Sequence, residues 1–161
     1  MRASELLRHI PQVGSLTWIG IRPARGEPME ALTRAELLTD RGIRGDRASK
    51  RAGGKRQVSL YQVEHLDVLA RLLHRGAIDP SLTRRNLFVQ GVNLRALMKT
   101  RFFVGDCLLH GTGEAHPCSK METALGPGGY AAMRGHGGIL AKVVEGGTVE
   151  LGASVRIAPL E

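Results

Sequence analysis

His116-Pro117-Cys118-Ser119-Lys120-Met121-Glu122 is the one stretch of this chain that brings a nucleophilic sulfur, a titratable imidazole and a cation within five residues. Thiol chemistry follows from such a grouping: attack on an electrophile, carriage of sulfane sulfur, or ligation of a soft metal. Pro117 fixes its own φ and biases His116 away from helical dihedrals, which predicts a chain that arrives extended and turns at Cys118. Downstream, Gly126, Gly128, Gly129, Gly135, Gly137 and Gly138 let backbone approach a bound group and offer N–H donors to an anion. Such donors beside Lys120 favour the thiolate. The competing reading is a packed, inert cysteine, and the rest of the chain has to separate the two.

His116, two residues from Cys118, or His136, returning through the glycine turn, are the candidate bases, and no third orienting group is visible beside them. Cys107, His110, His116 and Cys118 have the ligand types of a zinc site but not the spacing of a finger or ribbon. If 106–110 is a strand, Cys107 and His110 point to opposite faces, and Cys107 beside Leu108 and Leu109 reads as a packing residue.

A second cluster is basic. From Asp40 to Arg56, seven cations (Arg41, Arg44, Arg47, Lys50, Arg51, Lys55, Arg56) face only Asp40 and Asp46, with Gly42, Gly45, Gly53 and Gly54 as hinges. The segment predicts a loop, either a solvated charge run or a phosphate clamp, because guanidinium forks match phosphate oxygens two at a time. It is not a P-loop, since Arg56 rather than Ser or Thr follows Lys55. Thr83-Arg84-Arg85-Asn86 supplies a third polar group, in which Arg85 suits an anion and Asn86 the edge of a heterocycle.

Behind these residues the pattern is one of short strands. Gln12–Ile21 and Ala31–Thr39 read as a hairpin, and Gln57–Tyr61, Leu87–Val89, Phe102–Val104 and Asp106–His110 as further strands. Ile139–Glu145 and Thr148–Ile157 read as a second hairpin through Gly146-Gly147. Leu66, Leu69, Ala70 and Leu73 recur at helical spacing in the one clear helix, Glu64–Arg75, which Gly76 is expected to end. Short helical turns are expected at Leu94–Met98 and Gly129–Arg134. The fold class is therefore mainly β, a β-rich α+β chain forming a small closed barrel with one main amphipathic helix.

No linker or repeat divides residues 1–161, so a single domain is expected. Two cysteines are too few for a disulfide scaffold, and no apolar run approaches the roughly 20 residues that span a bilayer. With no apolar signal core at its start, the chain is read as cytoplasmic, with no membrane partner. A net charge of +8 points to an anionic partner. Nucleic acid is the weaker choice, because three Phe, two Tyr and one Trp are scattered rather than set out for base stacking. Nucleotide-binding glycine patterns, H-E-x-x-H and G-x-S-x-G are all absent.

In their order, Gly42-Ile43-Arg44-Gly45-Asp46-Arg47, Thr83-Arg84-Arg85-Asn86-Leu87, Gly105-Asp106, His116-Pro117-Cys118-Ser119 and Met133-Arg134-Gly135-His136-Gly137-Gly138-Ile139 resemble the MOSC family, named for the C-terminal domain of molybdenum cofactor sulfurases. Gly146-Gly147, Val149 and Gly152 resemble its closing hairpin, and the likeness runs from about Gly14 to Ile157. The resemblance implies a β-barrel that binds the molybdenum cofactor, a pterin dithiolene ending in phosphate, or that carries sulfur to it. It implies that Cys118 is the functional residue, as a molybdenum ligand in a reductase of N-hydroxylated compounds or as a persulfide carrier. It also implies that Arg85 and Asn86 face the cofactor and that Arg47 belongs to the basic loop. Lys120 and the backbone around Gly137 are read as further anion contacts, and His116 or His136 as proton carriers. The pyridoxal-phosphate desulfurase half and the electron-transfer module of larger relatives have no counterpart in these residues, so a separate desulfurase or electron-transfer protein is the expected partner. The alternatives are a metal-free sulfur carrier and a basic nucleic-acid-binding barrel.

Overall fold

Period-two alternation carries the architecture. In the computed structural model, which describes residues 1–160, a short helix α1 (Ala3–Leu6) precedes β1 (Gly14–Ile21), whose Leu16, Ile19 and Ile21 face inward. Those positions differ in parity because a bulge between Leu16 and Trp18 inserts one residue into the pairing, which turns Trp18 outward. The chain then forms β2 (Glu30–Leu32), β3 (Arg34–Leu38), β4 (Gly42–Ile43) and β5 (Val58–Gln62). After β5 come α2 (Val63–Leu72), β6 (Leu87–Gln90), β7 (Arg101–Val104) and β8 (Cys107–Glu114). Two short helices, α3 (Ser119–Leu125) and α4 (Gly129–Met133), lead into β9 (Ile139–Glu145), β10 (Gly147–Glu150) and β11 (Ser154–Ile157).

Seven strands close on themselves in the order β1-β6-β5-β9-β8-β7-β11, with β11 pairing back onto β1, so the barrel foreseen from the short strands is present. Closure removes free edges, and only β2 flanks the ring through β1. Leu60, Leu87, Val89, Phe102, Val104, Leu109, Ile139, Ala141, Val143 and Val155 fill the interior. One pair, β5–β6, is parallel, and α2 is its crossover, as a parallel pair requires. Every residue of β5 is buried for that reason: Leu60 faces the barrel, and Tyr61 joins Phe88, Leu69, Ala70, Met121, Leu125 and Met133 in a second core under the helices.

Three expectations change. The 31–39 segment divides, with β2 completing the hairpin on β1 while β3 joins β10 and β4 in a separate three-stranded sheet. The Gly146-Gly147 hairpin does not form. Gly146 donates its N–H to Thr39 Oγ1 and lies so close to Leu37 that a Cβ would sit 2.2 Å from its carbonyl oxygen, so the chain crosses to β3. Helix α2 ends before Gly76: His74 takes the left-handed conformation (φ 56°), and Arg75 N–H bonds back to Ala70 O.

Candidate functional site

Strand parity makes the floor of the site. Ser59 on β5 and Leu140 on β9 are register partners whose side chains point out of the barrel, opposite to Leu60 and Ile139. Over this pair lies a pocket of about 340 Å³ whose walls come from strand ends: Arg22 after β1, Arg56 before β5, Arg85 before β6, and Glu114 to Cys118 at the exit of β8.

Cys118 is exposed at this pocket, and its backbone is anchored on both sides. Upstream, Ala115 donates its N–H to Gly138 O at 2.9 Å. Downstream, Cys118 is extended (φ −122°, ψ 176°) and leads into α3, a helix the sequence pattern did not reveal between Pro117 and the glycines. Met121 and Leu125 bury one face of α3 in the second core, and the Arg75 guanidinium donates to the Leu125 carbonyl. Glu122 accepts the N–H groups of Gly128 and Tyr130, each at 3.0 Å, and these bonds hold its carboxyl below the ordinary value.

Arg85 ties the pocket together. Its Nε donates to Gly137 O (2.8 Å), Nη1 to Thr83 O (3.3 Å), and Nη2 to Ala115 O (3.3 Å) and His116 O (3.1 Å). Four of the five guanidinium N–H groups are thus committed to carbonyls, and none to a carboxylate. The expected phosphate-binding role therefore becomes chiefly one of bracing the Cys118 approach against the glycine turn. Burial pushes the Arg85 guanidinium down to about 10, opposed by the Tyr61 phenol and the Cys118 sulfur; it stays charged at neutral pH. Gly137 has to be glycine for the same contact: a Cβ there would lie 2.0 Å from Ala115 O. Gly138 combines a similar clash, 2.0 Å from Leu60 O, with a left-handed φ of 86°.

Asn86 differs from its expected role. It is fully buried, its amide NH₂ donates to Gly20 O (2.9 Å) and Asp46 Oδ1 (3.1 Å), and its Oδ1 accepts from Ser59 N–H and Oγ–H (3.1 Å each). No side-chain valence remains for a heterocycle edge. Asp46 binds Arg22 through its backbone N–H (2.7 Å), Nε (3.2 Å) and Nη2 (3.1 Å). Burial works against the Asp46 charge, yet the Arg22 bonds and charge and the Ala48 N–H hold its carboxyl below the usual range. The Arg22-Asp46-Asn86-Ser59 chain links one wall of the pocket to its floor.

Most of the remaining candidates lie elsewhere. His116 shares the Cys118 pocket; His136 does not. The His136 ring stacks edge-on with His65 at 5.2 Å and lines a separate cavity of about 310 Å³ with Arg95, Met98 and Glu114. Burial, then the like charge of His136, hold His65 below the ordinary imidazole value, opposed by Glu64. Lys120 is exposed on α3 and outside the pocket wall. Arg47 lines an open groove of about 890 Å³ with other cations of the basic loop, and this groove meets the Cys118 pocket at Arg22 and Arg56. Cys107 is buried, and burial, then the Asp106 charge, raise its thiol. Among the described residues no group of three His, Cys, Asp or Glu could hold a metal ion.

The MOSC domain family matches residues 47–156, which include β5 to β10, all but the last residue of β11, and Cys118. The chain belongs to the MOSC domain family. This MOSC chain is similar in fold to the YuaD protein from Bacillus subtilis, with a TM-score of 0.77, 18% identity, and 94% of this chain and 100% of that one covered. It is also similar to YiiM from Geobacillus stearothermophilus (TM-score 0.73, 16% identity, 91% of this chain and 75% of that one). YiiM from Escherichia coli gives a TM-score of 0.66 at 22% identity, over 94% of this chain and 70% of that one. Among curated proteins none matches the sequence at a significant level. Sequence reasoning missed Arg22, Ser59 and Glu114 in this MOSC pocket. The available signal was positional: Arg22 and Glu114 stand at the ends of alternating strands, where side chains surround a barrel mouth.

Proposed function

We propose that this MOSC protein binds the molybdenum cofactor, with Cys118 at the metal end and the cations of the adjoining walls at the phosphate end. One observation carries this reading: an exposed cysteine on a 340 Å³ pocket that also holds Arg22, Arg56 and Arg85 and only one carboxylate, Glu114. The donor set suits the group. A thiolate is a soft ligand appropriate to molybdenum, and guanidinium groups match a phosphate terminus. When bound, the group supplies a redox-active metal for reduction of substrates such as N-hydroxylated compounds.

The chain's own residues would then do four things. Cys118 offers its sulfur from a backbone held extended between Ala115 and α3. Arg85 fixes the position of that backbone through Ala115, His116 and Gly137. Arg56, exposed and without a protein partner among the described residues, is free to bind an anion, and His116 is placed to carry a proton at the pocket rim. Electrons would come from a separate protein.

The test is elemental and fluorescent. Protein purified from cells that make the cofactor should contain molybdenum and yield oxidised-pterin fluorescence, and Cys118→Ala should lose most of the metal while melting like the wild type. Wild-type protein with neither signal would sink the metal reading. The exposure of Cys118 favours a second reading, a persulfide carrier. Incubation with a cysteine desulfurase and cysteine should then add one sulfur to Cys118 and none to the buried Cys107.

A further inference from the structure

The basic groove holds more positive charge than one phosphate needs. Arg22, Arg47, Lys50, Arg51, Lys55 and Arg56 line it, and no carboxylate does. Arg22 is paired with Asp46, whereas the other five side chains make no ion pair or hydrogen bond among the described residues. A phosphate monoester carries about two negative charges at neutral pH, so a single such group leaves most of these cations facing one another. Like charges gathered on one wall repel unless an anion of matching charge lies between them.

The loop that presents them is tied down. Asp46 caps the turn Arg47–Lys50 through Ala48 N–H at 3.1 Å. Gly53 donates to Asp40 O at 3.0 Å, and Gln57 Nε2 binds Asp40 Oδ1 at 2.9 Å and Gly54 O at 3.3 Å. Thr112 Oγ1 donates to Lys55 O at 2.5 Å, which fastens the far end of the loop to β8. The cations are therefore held as a set on a fixed backbone. Because Arg22 and Arg56 line both cavities, a ligand can run from the Cys118 pocket into the groove without leaving positive surface.

We infer that this groove is a subsite for paired phosphate groups, so that the ligand of this surface ends in a diphosphate or diphosphate-linked extension rather than in one phosphate. It rests on the proposed function only for the direction in which the ligand extends.

Titration calorimetry on metal-free, full-length protein tests it with inorganic pyrophosphate and inorganic phosphate at equal ionic strength. Pyrophosphate should bind at least roughly tenfold more tightly, and Arg51→Gln/Lys55→Gln should abolish that preference, whereas Arg71→Gln/Lys99→Gln, which removes two cations outside the groove, should keep it. All four side chains are exposed, and melting curves verify that each variant is folded. Equal affinity for the two anions, or a preference that survives in Arg51→Gln/Lys55→Gln, overturns the inference. So does a single-stranded oligothymidylate that binds more tightly than pyrophosphate with a steep salt dependence, since the groove would then be part of a nucleic-acid surface. Absence of molybdenum from wild-type protein would sink the proposed function and leave the pyrophosphate preference standing, so the two failures are distinguishable.

Discussion

Arg85→Lys separates charge from geometry at the centre of the site. The substitution keeps one positive charge but replaces a planar fork of five donors by a point charge with three. Four carbonyls, those of Thr83, Ala115, His116 and Gly137, now share the guanidinium at 2.8–3.3 Å. They converge from three segments of chain, and an ammonium can reach two of them at most. A hydrogen bond to a charged group is worth about 1.5–3 kcal/mol, and the two contacts at 3.3 Å stand at the weak end. Loss of two or three at that weak end gives about 3–4.5 kcal/mol. For a chain of this size that lowers Tm by roughly 6–18 °C. Urea unfolding should show a lower midpoint with an unchanged slope, because the surface exposed on unfolding is the same. Under the proposed function, the variant should also retain less molybdenum than the wild type, since the segment that carries Cys118 is no longer braced against Gly137. If Arg85→Lys is as stable as the wild type within about 0.5 kcal/mol, the bracing role is refuted and Arg85 acts through charge alone.

Gly137→Ala should cost about 1–3 kcal/mol, because its Cβ would meet the Ala115 carbonyl at 2.0 Å, while Gly113→Ala, with nothing within 4 Å, should stay within about 0.5 kcal/mol of wild type; thermal melts of the pair decide this. Asp46 has a depressed carboxyl, so its contribution is complete above the ordinary aspartate value near 3.9 and is lost as pH falls through its lower folded value. Asp46→Asn should therefore be less stable than wild type at pH 6, and the gap should close on acidification below about pH 4, as followed by urea midpoints across pH. The lowered His65 imidazole has the sign of a base buried neutral: its contribution is complete above about pH 6.5 and is lost as pH falls toward the folded value. His65→Gln should flatten that part of the stability profile, and an unchanged slope between pH 7 and 5 would refute the burial of a neutral His65 imidazole.

Strand and helix content could be read locally because both rest on short-range repeats. Leu66, Leu69, Ala70 and Leu73 are neighbours on one helix face whatever surrounds them, and Ile139, Ala141 and Val143 share a strand face by parity alone. α3 escaped because Pro117 and the flanking glycines mask a helix of seven residues that Met121 and Leu125 anchor only once a second core exists. The missed crossing at Gly146 depended on Leu37 and Thr39, more than a hundred residues away, which no local pattern reports.

Residue types and their short-range order determined which atoms can react: a thiol after Pro117, a cationic loop, and the strands that carry both. Barrel closure decided which of them meet. It brought Arg22 and Arg56 beside Cys118, turned Asn86 inward onto Ser59 and Asp46, bound Arg85 to backbone carbonyls, and sent His136 to His65 instead of to the thiol. Each of those outcomes rests on pairing between residues far apart in the chain, so it depends on which strands lie next to one another, and composition, spacing and periodicity are silent about that.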